Sequence, residues 1–159
     1  MALLQKDRRL LISDLSILYA NFISSKLDDG IESSVEIDPV NSEYIWIKNF
    51  PLPKRRIFGS HPYINMAVDI IGYPHHPPAG VHLPREDQNT PKVRDALGGH
   101  ILDYDAVPYK EVAEFDQRWV WVCYHYDDWS WDFNPRDLSD GDSIASYLMS
   151  LHVEIDKGV

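Results

Sequence analysis

One cysteine stands in the chain, Cys123, and His125 follows it two residues later. In an extended segment, residues i and i+2 project to the same side. A thiol and an imidazole at that spacing are neighbours. The imidazole can take the thiol proton or stabilise the thiolate, which is the nucleophilic form. Such a pair suits nucleophilic attack by sulfur. Asp127 and Asp128 close the same segment, either as a solvated turn or as carboxylates that attract an incoming amine. His100 follows Gly98-Gly99 and is a second imidazole that a loop could bring to the thiol. Trp129 is expected to pack over the site.

The segment leaves two arrangements open. Trp119 and Trp121 share the side of Cys123 and His125, while Val120, Val122, Tyr124 and Tyr126 face the other way. If the Val/Tyr side is the core, the cysteine lines an accessible groove walled by tryptophan. If the Trp side is the core, Cys123 is an ordinary buried thiol, as free cysteines commonly are.

Other chemistries find less support. His75, His76 and His82 are clustered in sequence, but adjacent histidines seldom converge on one ion and no carboxylate has ligand spacing beside them. No metal and no organic cofactor is expected. There is no Gly-x-Ser-x-Gly elbow and no glycine-rich phosphate loop. A cysteine hydrolase using Cys123 and His125 would need a third group to orient the imidazole.

The net charge of −10 argues against nucleic acid as a partner, since such binders need basic surface to replace counterions. One cysteine makes no internal disulfide and suits a reducing compartment. The charges at Lys6, Asp7, Arg8 and Arg9 follow a very short apolar start, unlike a secretory signal, and no apolar run approaches the roughly 20 residues that span a bilayer. A cytoplasmic protein without membrane partners is the expectation. With 159 residues, 44% hydrophobic and including five Trp and nine Tyr, one domain covering residues 1–159 is expected.

The elements that must position Cys123 follow from periodicity. Leu11, Leu15, Leu18 and Phe22 form one helical stripe, with Ser13, Asp14, Ser16 and Asn21 largely off it. Asp28-Asp29-Gly30 reads as a turn. Residues 34–37 and 44–47 read as strands of a hairpin. In residues 64–71, Ile64, Met66, Val68 and Ile70 share one face, and Asn65, Ala67 and Asp69 should be more open. Prolines 74, 77 and 78 stop that ladder, and Val81-His82-Leu83 suits a short fourth strand. Residues 84–117 read as a long irregular loop with a short helix near 109–115. Residues 143–155 form a last helix, with Asp140 and Asp142 near its N-terminus as caps. Consecutive strands without intervening helices imply an α+β fold with an antiparallel meander of about four strands, helices on one face.

Two motifs carry a resemblance. The third strand runs into Tyr73-Pro74-His75-His76-Pro77-Pro78, and Val122-Cys123-Tyr124 precedes Trp129-Ser130 and a helix. The Tyr-Pro-x-x-Pro-Pro turn, then cysteine, then Trp-Ser, resembles the ubiquitin-conjugating (UBC) fold over about residues 8–155. The segment from Trp119 to Tyr126 looks most like the bacterial, prokaryotic family E type. The resemblance implies a ubiquitin-like protein carried as a thioester on Cys123 and passed to an amine or thiol. Its implied partners are that modifier, an activating enzyme and an isopeptidase-containing operon partner, in a defence (antiphage) or protein-modification setting. By position, Lys6, Arg8 and Arg9 correspond to the basic helix end that docks the activating enzyme. The family's His-Pro-Asn has no counterpart before the cysteine; His61-Pro62-Tyr63 precedes the proline turn. That departure leaves a second reading, a non-catalytic adaptor of the same fold.

Overall fold

The computed structural model describes residues 5–39, 42–78, 80–98, 101–102, 118–124 and 131–159. Helix α1 (Gln5–Leu18) runs on through a π-turn, Tyr19–Ile23, and a short 3-10 turn, Ser24–Lys26. It places Leu11, Leu15, Leu18 and Phe22 in the core, as their spacing requires. The chain then enters β1 (Ser34–Ile37), β2 (Tyr44–Pro51), β3 (Tyr63–Asp69) and β4 (Gly80–Pro84). A short helix, α2 (Thr90–Ala96), leads to β5 (Ile101–Leu102), and β6 (Trp119–Cys123) precedes the last helix, α3 (Ile144–Lys157).

The strands form one antiparallel sheet in the order β1-β2-β3-β4-β6-β5. The expected meander is therefore present as β1 to β4, and the sheet is wider than four strands. The Cys123 segment itself supplies the next strand: Leu83 pairs with Val120 and Gly80 with Cys123. The α+β architecture, with a helix at each end of the chain and an antiparallel sheet between, matches the sequence expectation.

Helices α1 and α3 cover one face. Ile45, Ile47, Ile64, Met66, Val68, Val81, Leu83, Val120 and Val122 from the sheet meet Leu11, Leu18, Tyr147, Leu148, Leu151 and Ile155. Burying each such side chain contributes about 1.5–3 kcal/mol relative to exposure.

Four sequence expectations need correction. Ala67 and Asp69 are buried, at 0% and 3% exposure, because Tyr44, Trp46 and Trp119 build a second apolar cluster on the opposite face; of the three, only Asn65 is open. Asp14 is also buried, despite lying off the leucine stripe. Its carboxylate accepts from the backbone N–H groups of Ile144 (2.8 Å) and Ala145 (3.0 Å) and from the Tyr73 hydroxyl (3.2 Å). It thus satisfies helix α3's first donors alongside the Ser143–Ser146 capping box. Asp142, expected to cap α3, instead accepts from the Asp132 amide.

The fourth correction is α2, which lies inside the stretch read as a loop. Pro91 is in its first turn, where a missing N–H costs nothing, and Gly98 (φ +72°) follows its end. The short helix expected near 109–115 falls outside the described residues.

Candidate functional site

Cys123 ends β6, half-buried, opposite Gly80 of β4. The choice between the two faces of β6 is resolved by its neighbours. Val120 and Val122 enter the core beneath the helices, and Tyr124 packs against Tyr147 with ring centroids 5.4 Å apart. The Tyr124 carbonyl accepts from the Tyr147 hydroxyl at 2.9 Å, and the Tyr124 hydroxyl is joined to Ser150. These bonds tie the strand's exit to α3. The Trp side, which carries Cys123, therefore faces away from the helices.

On that face Trp121 is 2% exposed and rests on the His82 ring, centroids 4.8 Å apart. Its indole N–H donates to the Cys123 sulfur at 3.1 Å, the contact expected of strand residues two apart. The indole is thus an N–H donor placed where negative charge on sulfur would develop. Burial holds the His82 imidazole down at about 3, so it is neutral at physiological pH and adds no charge beneath the indole.

Gly80 is required by this packing. A Cβ there would fall 2.2 Å from the Val122 carbonyl oxygen and 2.7 Å from the Trp121 ring. The bare backbone of Gly80 lets the indole lie flat beside the cysteine. On the helix side of the sheet, the end of β6 at Cys123 borders a recess of about 380 Å³ lined also by Ala96, Leu97 and Gly98 from the end of α2, Tyr124, and Glu154 of α3. The Glu154 carboxylate there is paired with Lys157 at 3.1 Å.

His125, Asp127, Asp128 and Trp129 lie outside the described residues, as does His100. Trp131, just beyond, is buried, and its indole N–H donates to the Pro74 carbonyl at 2.9 Å. Through Trp131 on one side and the Tyr73–Asp14 bond on the other, the Tyr-Pro-x-x-Pro-Pro turn is fastened to the core. Burial foremost, then the Asp14 carboxylate, pushes the Tyr73 phenol well up; burial also raises Asp14 against the pull of its hydrogen bonds.

Lys6, Arg8 and Arg9 are exposed on the first turns of α1. His75 and His76 are exposed on the proline turn while His82 is enclosed in β4, and no group of three or more metal-ligating side chains is formed among the described residues. No helix among them is long and apolar enough to cross a membrane. Compared with known protein families, with curated proteins and with solved structures, the chain matches none.

Sequence reasoning found Cys123 and its Trp-bearing face but missed the Trp121 N–H, Gly80 and Glu154. The first was within reach, since an indole two residues before a cysteine in a strand shares its side. The other two come from β4 and α3, and no local pattern announces them.

Proposed function

We propose that the chain is a UBC-like protein that carries a ubiquitin-like modifier as a thioester on Cys123 and passes it to an amine or thiol. The observation that supports this reading best is the indole N–H of Trp121 at 3.1 Å from the sulfur of the half-buried Cys123. The other support is the sequence resemblance, together with the order of helix, antiparallel meander, proline turn, cysteine and helix.

In this reading the Cys123 thiolate attacks the carbonyl of a modifier held as a thioester by its activating enzyme. A new S–C bond forms as the old one breaks, and the activating enzyme's sulfur leaves and is protonated. The acceptor amine then attacks the same carbonyl, losing a proton, and Cys123 departs as the thiol. Glu154, at the recess wall, is paired with Lys157 at 3.1 Å and would exchange that partner for an incoming ammonium. His125 would serve as the base for either proton.

The adaptor reading keeps one specific support. Cys123 belongs to a paired strand, and its sulfur already accepts a hydrogen bond from a buried side chain. A structural thiol would look the same. A non-reducing gel separates the two readings. The protein is co-expressed with its genomic neighbours and ATP is supplied. A thioester carrier gives a higher band that thiol reductant removes, and Cys123→Ser gives a reductant-resistant oxyester; mass spectrometry distinguishes either from a disulfide. An activating enzyme charged with its modifier, but no adduct on Cys123, establishes the adaptor.

A further inference from the structure

The strand at one end of the sheet, β1, faces a groove of about 650 Å³ on the side of α1. Arg8, Ile12, Leu15 and Tyr19 line its helical wall at helical spacing, and β1 forms the other wall. Ile12 and Tyr19 are 50% and 37% exposed, among the most open large apolar side chains described. Outward backbone N–H and C=O groups of an edge strand are a template for another strand.

The charges beside that template are unspent. Arg8 on the helical wall and Glu36 on the strand are both exposed, and neither has an ion pair among the described residues. They also belong to opposite faces. Val35 and Ile37 pack toward the core under α1, so Glu36 between them points to the other side, beside Trp46.

We propose that this groove docks an extended segment of a partner protein, which adds a strand to the outer edge of β1, an edge that pairs with no other strand among the described residues. Its residues facing α1 are apolar and acidic, filling the space between Ile12 and Tyr19 and meeting Arg8. Its residues facing the other way include a Lys or Arg opposite Glu36. Main-chain hydrogen bonds supply the attachment, and the alternating side chains supply the selection. Glu36 admits a strand with a cation at that position and rejects acidic strands.

A second copy of this chain fits poorly. Two β1 edges paired about a twofold axis normal to the sheet keep both helices on one side. That sets Arg8 toward Arg8 on one face and Glu36 toward Glu36 on the other, so like charges meet. The inference uses nothing of Cys123 and stands whether or not that residue carries a modifier.

The probe is a blocked peptide of about ten residues, alternating Val, Ile and Glu on one face with Lys and Ser on the other. It is titrated into the isotope-labelled Cys123→Ser protein by amide NMR. The expected result is saturable binding in the micromolar range, with shifts centred on Ser34–Ile37 and on Tyr19. N-methylation of alternate peptide amides should abolish it. Arg8→Glu should weaken it at least about tenfold and should favour a peptide with Lys in place of Glu. Arg8 is exposed, and an unchanged amide spectrum elsewhere verifies the fold. Three results overturn the proposal: no saturable shifts up to millimolar peptide, equal binding of the N-methylated peptide, or sedimentation showing that β1 instead pairs with a second copy.

Discussion

The two faces of the sheet are built on different plans. The face under α1 and α3 is aliphatic: Val, Ile, Leu and Met from five strands mesh with leucines from the helices. The opposite face is aromatic and polar at once, with Tyr44, Trp46, Trp119 and Trp121 beside Ala67, Asp69 and His82. Aliphatic packing is tolerant, because neighbours of similar volume substitute for one another. The aromatic face depends on particular shapes. One indole packs at a tilt against a histidine, lies against a glycine, and spends its N–H on a cysteine. Cys123 belongs to that second face, so its surroundings are set by a few large side chains and not by the bulk of the core.

The sharpest way to break this contrast is to remove the largest of those side chains. Trp121→Ala should cost about 3–5 kcal/mol, as much as truncating a residue deep in the helix-covered core. Chemical denaturation monitored by far-UV circular dichroism measures it. A loss below about 1 kcal/mol would mean that the aromatic face is a veneer and that Cys123 is not held by it.

How much was legible follows the same division. Strands β1, β2 and β3 and both long helices announce themselves because aliphatic residues recur at the period of the element. Val35, Ile37, Met66, Val68, Leu148 and Leu151 each point where period alone sends them. The second face is not periodic in that sense. Ala67 and Asp69 look like solvent positions until Tyr44 and Trp119 arrive from other strands. Asp14 looks like a surface residue until the N-terminus of α3, 130 residues later, supplies two amides. The site is split in the same way. Cys123 and its Trp-bearing side follow from alternation, whereas Gly80 and Glu154 reach it only through tertiary pairing.

Asp14 gives the helix-covered side its own test. Asp14→Ala strands the Ile144 and Ala145 amides and the Tyr73 hydroxyl. Unpartnered buried groups cost about 1–3 kcal/mol each, so a total near 3 kcal/mol is expected. Asp14→Asn keeps one acceptor oxygen and should lose less. If both variants match wild type in thermal denaturation, Ser143 alone caps the helix and the link between α1 and α3 is incidental.

His82 and Asp14 should also answer acid in opposite directions. The folded His82 titrates near 3, well below its ordinary 6.5, because burial disfavours the imidazolium. Between those values the unfolded chain holds a proton that the folded chain lacks, so His82 lowers stability as pH falls from about 6.5 toward 3. The slope is up to about 1.4 kcal/mol per pH unit. Asp14 is shifted upward by burial, so its protonation favours the fold. That contribution is complete below its ordinary 3.8 and fades as pH rises through the folded value. Denaturation at a series of pH values, with wild type beside His82→Leu, isolates the first effect. The variant should lose the His82 share of the slope above pH 4 and keep that of His152 in α3, which burial and then Lys26 also lower; an unchanged slope would place the acid sensitivity elsewhere.

The finest test concerns the N–H on sulfur. Trp121→Phe keeps an aromatic ring beside Gly80, deletes the donor to Cys123 and leaves a smaller side chain in a buried site. The lost bond is worth about 0.5–1.5 kcal/mol and the smaller ring adds a packing cost, so stability should fall, though less than in Trp121→Ala. The informative reading is the rate of iodoacetamide alkylation of the folded protein. The thiolate is the reacting form, and a donor on sulfur supports charge there. Removing it should slow alkylation roughly threefold, the lower part of the same energy range. Faster alkylation would mean that the indole acts mainly as a cover. Cys123 would then be a residue of the aromatic face like its neighbours, which is what the adaptor reading requires.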